Sequence, residues 1–207
     1  MGRRSEGVRR VGRLIFFDLH PLRLKLETPV VSTPNAAQQL HIRPATVADT
    51  GTILHFIREL AIYEKAEHEA LATPAHIHRT LFSAQPSVFG LICELDAQAV
   101  GFAVYFFNYS TWQGQQGLYL EDLYVTPHHR GVGAGKALLQ CLARIAVARD
   151  CGRFEWSVLD WNAPSIAFYD SLGAKPQNEW IRYRMAGQAL VDLATQTNVA
   201  TVATALG

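Results

Sequence analysis

A glycine-rich segment that directly follows a strand-like run is the feature that most constrains this chain. The run Tyr119–Val125 is rich in residues that suit β-strands, and Thr126-Pro127 ends it because proline cannot donate to a strand ladder. From Gly135 onward apolar residues recur at helical spacing, so the glycines precede a helix. Helix N-termini carry unpaired N–H groups and a positive dipole end, which glycines leave accessible to anions. The segment therefore predicts a phosphate or pyrophosphate site, with Arg130 and Lys136 at its edges.

Two common phosphate-binding motifs do not fit this segment. A P-loop requires glycine at position 130 and Ser or Thr at position 137, where the chain has Arg130 and Ala137. The dinucleotide-binding fingerprint would place its third glycine at Lys136 or Leu138. What remains is Arg-Gly-x-Gly-x-Gly after a strand. The alternative is a glycine-rich turn that merely starts a helix.

Composition and charge narrow the class of protein. The 207 residues, 49% of them hydrophobic, suffice for one domain or one domain with an appendage. Three cysteines, at spacings that fit neither zinc nor a disulfide framework, indicate free thiols in a reducing cytoplasm. No apolar stretch reaches the roughly 18 residues that a membrane span needs. Residues 1–39 hold six arginines and one lysine against three acidic residues, a net charge of +4, which leaves −3 for the remainder. That balance argues against a nucleic-acid partner and suits a cationic substrate.

The first 39 residues do not resemble part of a fold. Their apolar run is too short for a signal peptide, and Glu6 breaks the myristoylation motif. The arginines leave an organelle transit peptide open, but we favour a disordered extension or a start codon assigned too early. At the other end we expect a frayed tail over residues 196–207, with the domain between them at 40–195.

Between these ends the sequence predicts an α/β domain. The predicted strands are 40–44, 88–95, 99–107, 119–125, 153–159 and 179–185, and a polar loop is predicted at 108–117. The predicted helices are 46–65, 73–82, 135–151, 162–172 and 188–194. This order suits a mixed sheet with helices on both faces.

This layout resembles the GNAT superfamily of N-acetyltransferases. It is most similar to the diamine group, meaning spermidine/spermine acetyltransferases and thialysine N-epsilon-acetyltransferases. The matching segments are Ile42–Thr46, Glu59–Glu64, Tyr119–Val125, Arg130–Lys136 and Trp161–Ala174. The resemblance implies a mixed, mostly antiparallel central sheet that is splayed at the acetyl-CoA site. It also implies a metal-free homodimer that moves an acetyl group from acetyl-CoA to a small amine.

The resemblance further implies roles for individual residues. The thioester and pantetheine arm would meet Leu123, Tyr124 and Val125. The pyrophosphate would meet Arg130, Gly131, Val132, Gly133, Ala134, Gly135 and Lys136. The coenzyme would be contacted further along by Asn162, Ala163, Pro164 and Ser165. Tyr169 corresponds to the catalytic tyrosine, and the amine pocket to Tyr63, Glu64 and Glu121.

Acyl transfer to an amine poses two problems of proton transfer, which a carboxylate and a phenol can solve. An alkylammonium has a pKa near 10.4, so it must lose a proton before attack. The leaving thiolate must gain one, and we assign that step to Tyr169. On a regular strand Glu121 and Asp122 face opposite sides unless a bulge intervenes. We choose Glu121, because Asp122 would share the face of Leu120 and Tyr124.

Each assignment has a plain structural alternative. The alternative for Glu121 is a structural ion pair, and the alternative for Tyr169 is a packing role. His128 and His129 are interpreted as solvated turn residues. Two further functions also stay open: acetylation of protein lysine or an antibiotic amine, and a non-catalytic acyl-CoA sensor.

Overall fold

A five-stranded mixed sheet forms the centre of residues 39–196, the part of the chain that this computed structural model describes. Its strands are β1 (Leu40–Pro44), β2 (Val88–Leu95), β3 (Gln98–Ser110), β4 (Gln115–Val125) and β5 (Arg153–Trp156). They lie side by side in sequence order. Every neighbouring pair is antiparallel except β4 and β5, which are parallel. The predicted mixed and mostly antiparallel sheet is therefore confirmed.

Helices cover both faces of this sheet, as predicted. They are α1 (Thr50–Glu64), α2 (Pro74–Leu81), α3 (Ala134–Ala148), α4 (Ala163–Ser171) and α5 (Gly187–Thr195). On one face α3 buries a cluster that includes Leu91, Cys93, Leu118, Leu120, Leu138 and Leu142. On the other face α1 and α2 bury a second cluster that includes Ile53, Phe56, Ile77, Phe102 and Tyr124. The sheet therefore has apolar cores on both sides, as in layered α/β folds.

An ion pair joins β1 to the start of α1. The Arg43 guanidinium donates to both carboxylate oxygens of Asp49, at 2.7 and 2.8 Å, and its Nε donates to Glu94 at 2.8 Å. Asp49 also accepts from the backbone N–H of Thr46 at 2.7 Å, which completes the predicted capping box. The hydrogen bonds from Arg43 lower the pKa of Asp49 to about 2.

The predicted polar loop at 108–117 is wrong for most of its length. β3 and β4 stay paired as far as Ser110 and Gln115, and only residues 111–114 form the turn. Cross-strand hydrogen bonds hold Asn108 opposite Gly117 although neither residue favours a strand. The tertiary pairing thus overrides the local preference that indicated a loop.

The predicted strand at 179–185 is also wrong. Residues 174–186 form neither helix nor strand, and β5 pairs only with β4. Trp180, Ile181 and Tyr183 are 68%, 77% and 89% exposed. The segment has the composition of a strand, but within residues 39–196 no neighbouring strand supplies its hydrogen bonds. The helix predicted after it is present as α5.

The remaining predictions concern the chain ends, membrane spans and the cysteines. Those for 1–38 and 197–207 lie outside the described residues. Among the described residues, no helix is both long enough and apolar enough to cross a membrane. Cys93, Cys141 and Cys151 are all unpaired, as expected.

Candidate active site

A cleft opens where β4 and β5 part. The two strands pair from Gly117 opposite Arg153 to Leu120 opposite Trp156, and no further. Beyond that point lies a cleft of about 580 Å³. Its lining includes the end of β4, the C-terminal turn of α1, the glycine-rich segment, residues 156–159 and the inner side of α4. The splayed sheet that the sequence predicted is therefore present at the predicted place.

A β-bulge in β4 brings two carboxylates to this cleft. Tyr105 of β3 lies opposite Leu120 and Val104 lies opposite Asp122, so Glu121 has no opposite residue. The extra residue reverses the alternation: Leu120 belongs to the α3-side core and Tyr124 to the α1-side core. The argument that assigned Asp122 to a face shared by Leu120 and Tyr124 is therefore wrong. Glu121 and Asp122 both line the cleft.

Three carboxyl groups gather in this part of the cleft. Glu64, at the end of α1, lines the cleft with Glu121 and Asp122. Burial raises the pKa of Asp122 to about 6, and the negative charges of Glu121 and Glu64 add to that rise. Burial also raises the pKa of Glu64. This acidic wall favours a cationic guest and contains a carboxyl group that titrates close to neutrality.

The glycine-rich segment forms a turn into α3 that leaves backbone N–H groups accessible. Gly131 and Gly133 have φ angles of 84° and 91°, in the left-handed region that L side chains rarely adopt. Gly133 caps α3 and accepts a hydrogen bond from Ala137 N–H at 2.9 Å. The N–H groups at the start of the helix have no partner inside it. Gly131, Gly133, Gly135 and Lys136 line the cleft, so the residues present fit a pyrophosphate.

Arg130, at the start of the glycine-rich segment, contacts both β4 and α1. Its Nε donates to the carbonyl oxygen of Val125 at 3.1 Å. Its guanidinium carbon lies 4.8 Å from the ring centroid of Tyr63 and 5.8 Å from that of Tyr124. These cation–π contacts link the glycine-rich segment to α1.

The start of α4 fixes the position of Tyr169. Asn162 is only 7% exposed, and its side-chain oxygen accepts from Ser165 N–H at 3.4 Å and from the Tyr63 hydroxyl at 3.1 Å. One turn further along, Tyr169 packs against Trp156 with ring centroids 5.1 Å apart. Burial raises the pKa of Tyr169, and the neighbouring Glu64 and Tyr63 raise it further. The phenol is therefore held in its protonated form, as a proton donor requires.

Most of the residues predicted for the site line this one cleft. From α1 and β4 it includes Tyr63, Glu64, Glu121, Leu123, Tyr124 and Val125. From the glycine-rich segment it includes Arg130, Gly131, Gly133, Ala134, Gly135 and Lys136. From α4 and its cap it includes Asn162, Pro164, Ser165 and Tyr169. Val132 and Ala163 are exposed outside this lining.

Sequence reasoning missed several lining residues. Asp122, Trp156, Ser157 and Phe168 line the cleft, although they were assigned no role there. His129 was interpreted as a solvated turn residue, but it is half-buried, lines the cleft, and places Nδ1 2.8 Å from the Thr126 hydroxyl. The position of Trp156 on the strand that diverges from β4 is a signal that could have identified it.

Comparison with known proteins identifies the family. The model of the Acetyltransferase (GNAT) family matches residues 54–174, more than half of the chain. The chain belongs to the GNAT family. It is therefore an acetyltransferase, and GNAT enzymes draw their acetyl group from acetyl-CoA.

Two curated relatives agree with this GNAT assignment, and one solved structure has a similar fold. Mouse thialysine N-epsilon-acetyltransferase is 35% identical over 164 residues, which cover 74% of this chain and 96% of the relative. Human spermidine/spermine N(1)-acetyltransferase-like protein 1 is 36% identical over 163 residues, which cover 74% of this chain and 23% of the relative. An integron cassette protein from V. cholerae superposes with a TM-score of 0.65 at 26% identity, covering 75% of this chain and 98% of that chain.

Proposed function

We propose that this GNAT enzyme transfers an acetyl group from acetyl-CoA directly to the primary amine of a small cationic substrate, with both substrates bound together. One observation carries the proposal: a single cleft is lined by the start of α3, by the three carboxyl groups of the acidic wall and by the half-buried phenol of Tyr169. The relatives named for thialysine and for spermidine/spermine support an amine of this class, because both kinds of substrate are small and carry positive charge.

The residues divide the binding work between the two substrates. Gly131 to Lys136 would hold the pyrophosphate of acetyl-CoA on backbone N–H groups, aided by the charge of Lys136. The β4 backbone at Leu123 to Val125 would hold the pantetheine arm, and Asn162 to Ser165 the coenzyme further along. Glu64 and Glu121 would attract the ammonium group from the side of α1.

The transfer requires three proton movements and one exchange of bonds. A carboxylate, for which we propose Glu121, takes a proton from the ammonium directly or through water. The amine nitrogen then bonds to the acetyl carbon, and the carbonyl electron pair moves to oxygen. A β4 backbone N–H left free at the bulge can donate to this oxyanion. The carbonyl re-forms, the carbon–sulfur bond breaks, and the sulfur accepts the proton of the Tyr169 hydroxyl. The nitrogen then gives its second proton, directly or through water, to the Tyr169 phenolate, which restores the phenol and leaves a neutral amide, and the Glu121 carboxyl group releases its proton to water.

The proposal also covers the location, the oligomeric state and the partners of the enzyme. We propose that the enzyme works in the cytoplasm as a homodimer, without a metal ion, a nucleic-acid partner or a membrane. The acidic cleft supports the choice of a cationic small molecule.

Thiol release from acetyl-CoA, measured with diamines, polyamines, lysine-like amino acids and lysine-containing peptides, tests the function. We expect release with small amines and a mass increase of one acetyl group on the amine. Release with peptides alone would support acetylation of protein lysine instead. Release with an aminoglycoside alone would support an antibiotic acceptor, and binding of acetyl-CoA without release on any amine would support a sensor.

The Tyr169→Phe variant tests the proposed proton donor. Phenylalanine keeps the packing on Trp156 but has no hydroxyl proton, so we expect kcat to fall by roughly 100-fold or more. The dissociation constant for acetyl-CoA, measured by calorimetry, should change by less than about twofold. Tyr183→Phe, at an exposed tyrosine, is the matched control and should alter neither value. Equal losses of turnover and coenzyme affinity would contradict an acid role for Tyr169.

A further inference from the structure

His129 places an imidazole in the cleft lining immediately before the glycine-rich segment. It ends the short 3-10 turn Pro127–His129 that follows β4, and Arg130 and Gly131 come next in the chain. His129 is half-buried and belongs to the lining, whereas its neighbour His128 is exposed and lies outside it. Of two adjacent histidines, the fold therefore brings only one to the cleft.

The Thr126 hydroxyl fixes the orientation of the His129 ring. It lies 2.8 Å from Nδ1, and the backbone N–H of His129 donates to the carbonyl oxygen of Thr126 at 3.0 Å. A hydroxyl that donates to Nδ1 leaves the ring proton on Nε2, and the same N–H is present when both nitrogens are protonated. In both states the edge of the ring away from Thr126 presents an N–H donor.

The Nε2 atom of His129 has no partner among residues 39–196, where the bond to Thr126 is the hydrogen bond of this side chain. The histidines that lie beside a carboxylate there are His41 and His68. The Cα atoms of His129 and Gly131 are at most about 7.6 Å apart along the chain. A free donor thus lies beside the accessible N–H groups of the glycine-rich segment, and an anion suits both.

We infer that Nε2 of His129 donates a hydrogen bond to the pyrophosphate of acetyl-CoA, beside the backbone N–H groups of Gly131 to Lys136. This inference rests on the proposed function and adds a side-chain ligand to a cradle of backbone groups. Thr126 acts through His129, because its hydroxyl orients the ring. His129 is therefore a binding residue, and it does not touch the thioester that reacts.

Coenzyme A and 3′-dephospho-coenzyme A test the inference, because both contain the pyrophosphate and only the first carries a 3′-phosphate. For His129→Leu we expect the dissociation constants of both, measured by calorimetry, to rise by the same factor. That factor should be roughly 10 to 100, as for loss of a hydrogen bond to a charged group. We expect kcat at saturating acetyl-CoA, and KM for the amine, to change by less than about twofold.

Three further variants separate a contact with the ligand from a structural role. His129→Gln keeps an N–H donor close to the position of Nε2 and should restore a large part of the affinity. Thr126→Val removes the hydroxyl that orients the ring and should raise both dissociation constants by a smaller factor, roughly 2 to 10. His128→Leu, at the exposed neighbour, is the matched control and should leave both constants unchanged.

Nuclear magnetic resonance of the wild type reads the contact directly, even if a variant folds poorly. The chain has eight histidines, and the imidazole signals that disappear in His129→Gln and in His128→Leu identify the two of interest. Addition of coenzyme A should shift the Nε2 signal of His129 and leave that of His128 in place.

Each contrary result has a distinct meaning. Loss of affinity for coenzyme A alone would move the contact to the 3′-phosphate and overturn the assignment to the pyrophosphate. So would a His129 signal that coenzyme A does not shift, or a His129→Leu variant that binds both ligands as tightly as the wild type. If the wild type still binds both ligands and acetylates small amines, only the role of His129 falls. If the wild type binds neither ligand, the proposed function falls as well.

Discussion

Asp122 is the residue whose surroundings depart most from what its position in the sequence indicates. It follows Glu121 on a strand, yet the bulge directs it to the α1 side, where Glu64 also lies. Burial and these two negative charges raise its pKa from 3.8 to about 6. The folded protein therefore binds this proton more tightly than the unfolded chain does.

Replacing Asp122 by Asn should show how much the ionised Asp122 destabilises the folded protein, as a change in the pH dependence of stability. Because the folded-state pKa is raised, ionisation of Asp122 lowers the free energy of unfolding as pH rises from about 4 to about 6. An amide does not ionise. At pH 8 we therefore expect the free energy of unfolding of Asp122→Asn to be higher than that of the wild type by roughly 1–2 kcal/mol. At pH 4 or below the two should be equal.

Urea unfolding at pH 4 and pH 8 measures this difference. Asp170→Asn serves as the control, because Asp170 is exposed, lies outside the cleft lining and should show a much smaller change. A variant that is less stable than the wild type at pH 8 would mean that the carboxylate has a stabilising partner.

The start of α3 is the element on which binding of acetyl-CoA depends. Gly135 lies in the first turn, without a positive φ, and an added Cβ would sit 3.9 Å from Leu123 and Phe168, which is ordinary contact. Alanine at this position should therefore stabilise the helix by about 0.5–1 kcal/mol. The same methyl group would stand beside the N–H groups that we propose hold the pyrophosphate.

We accordingly expect Gly135→Ala to weaken acetyl-CoA binding by roughly tenfold while the protein becomes no less stable. Calorimetric titration gives the affinity, and thermal unfolding gives the stability. Gly51→Ala in α1 is the matched control, because nothing lies within 4 Å of its added Cβ and Gly51 is not part of the cleft lining. This variant should gain stability without any change in acetyl-CoA affinity. Unchanged coenzyme affinity in Gly135→Ala would contradict the proposed cradle.

Elements with local signals were predictable from the sequence. Thr73 and Asn162 cap their helices through His76 N–H and Ser165 N–H, and Pro follows each cap at the start of the helix. Such contacts join residues a few positions apart, so the sequence displays both partners. The glycine-rich entry to α3 was predictable for the same reason.

Elements that depend on distant partners were not predictable. The bulge at Glu121 arises from the register with Val104 and Tyr105, which no local pattern in β4 shows. The hydrogen bond from Tyr63 to Asn162 joins residues 99 positions apart. The prediction for 179–185 was wrong for the opposite reason: its alternation indicated a strand, but no described strand pairs with it.

At the scale of the whole molecule, an apolar surface follows α4. Beyond Gly173 the described chain is almost wholly exposed, and large apolar side chains recur along it: Trp180, Ile181, Tyr183, Met185, Leu190, Val191 and Leu193. Large exposed apolar side chains in such number typically mark a contact with another protein. We propose that this contact forms the homodimer of the proposed function.

Sedimentation tests this assignment. We expect the wild type to sediment at twice the mass of one chain, and Tyr183→Glu to shift it toward the monomer, because a buried charge without a partner is costly. Leu71→Glu, at a leucine that is 77% exposed and distant in sequence from this surface, should leave the dimer intact. A wild type that is monomeric at every concentration would contradict the assignment.

The parting of β4 and β5 has one further consequence. The lining includes residues of the layer that contains α3 and of the layer that contains α1, so the cleft is bordered by both sides of the sheet. Under the proposed function, acetyl-CoA can enter the cleft from the α3 side and the amine from the α1 side. Under that proposal the two substrates can bind in either order, and the acetylated product can leave while coenzyme A is still bound.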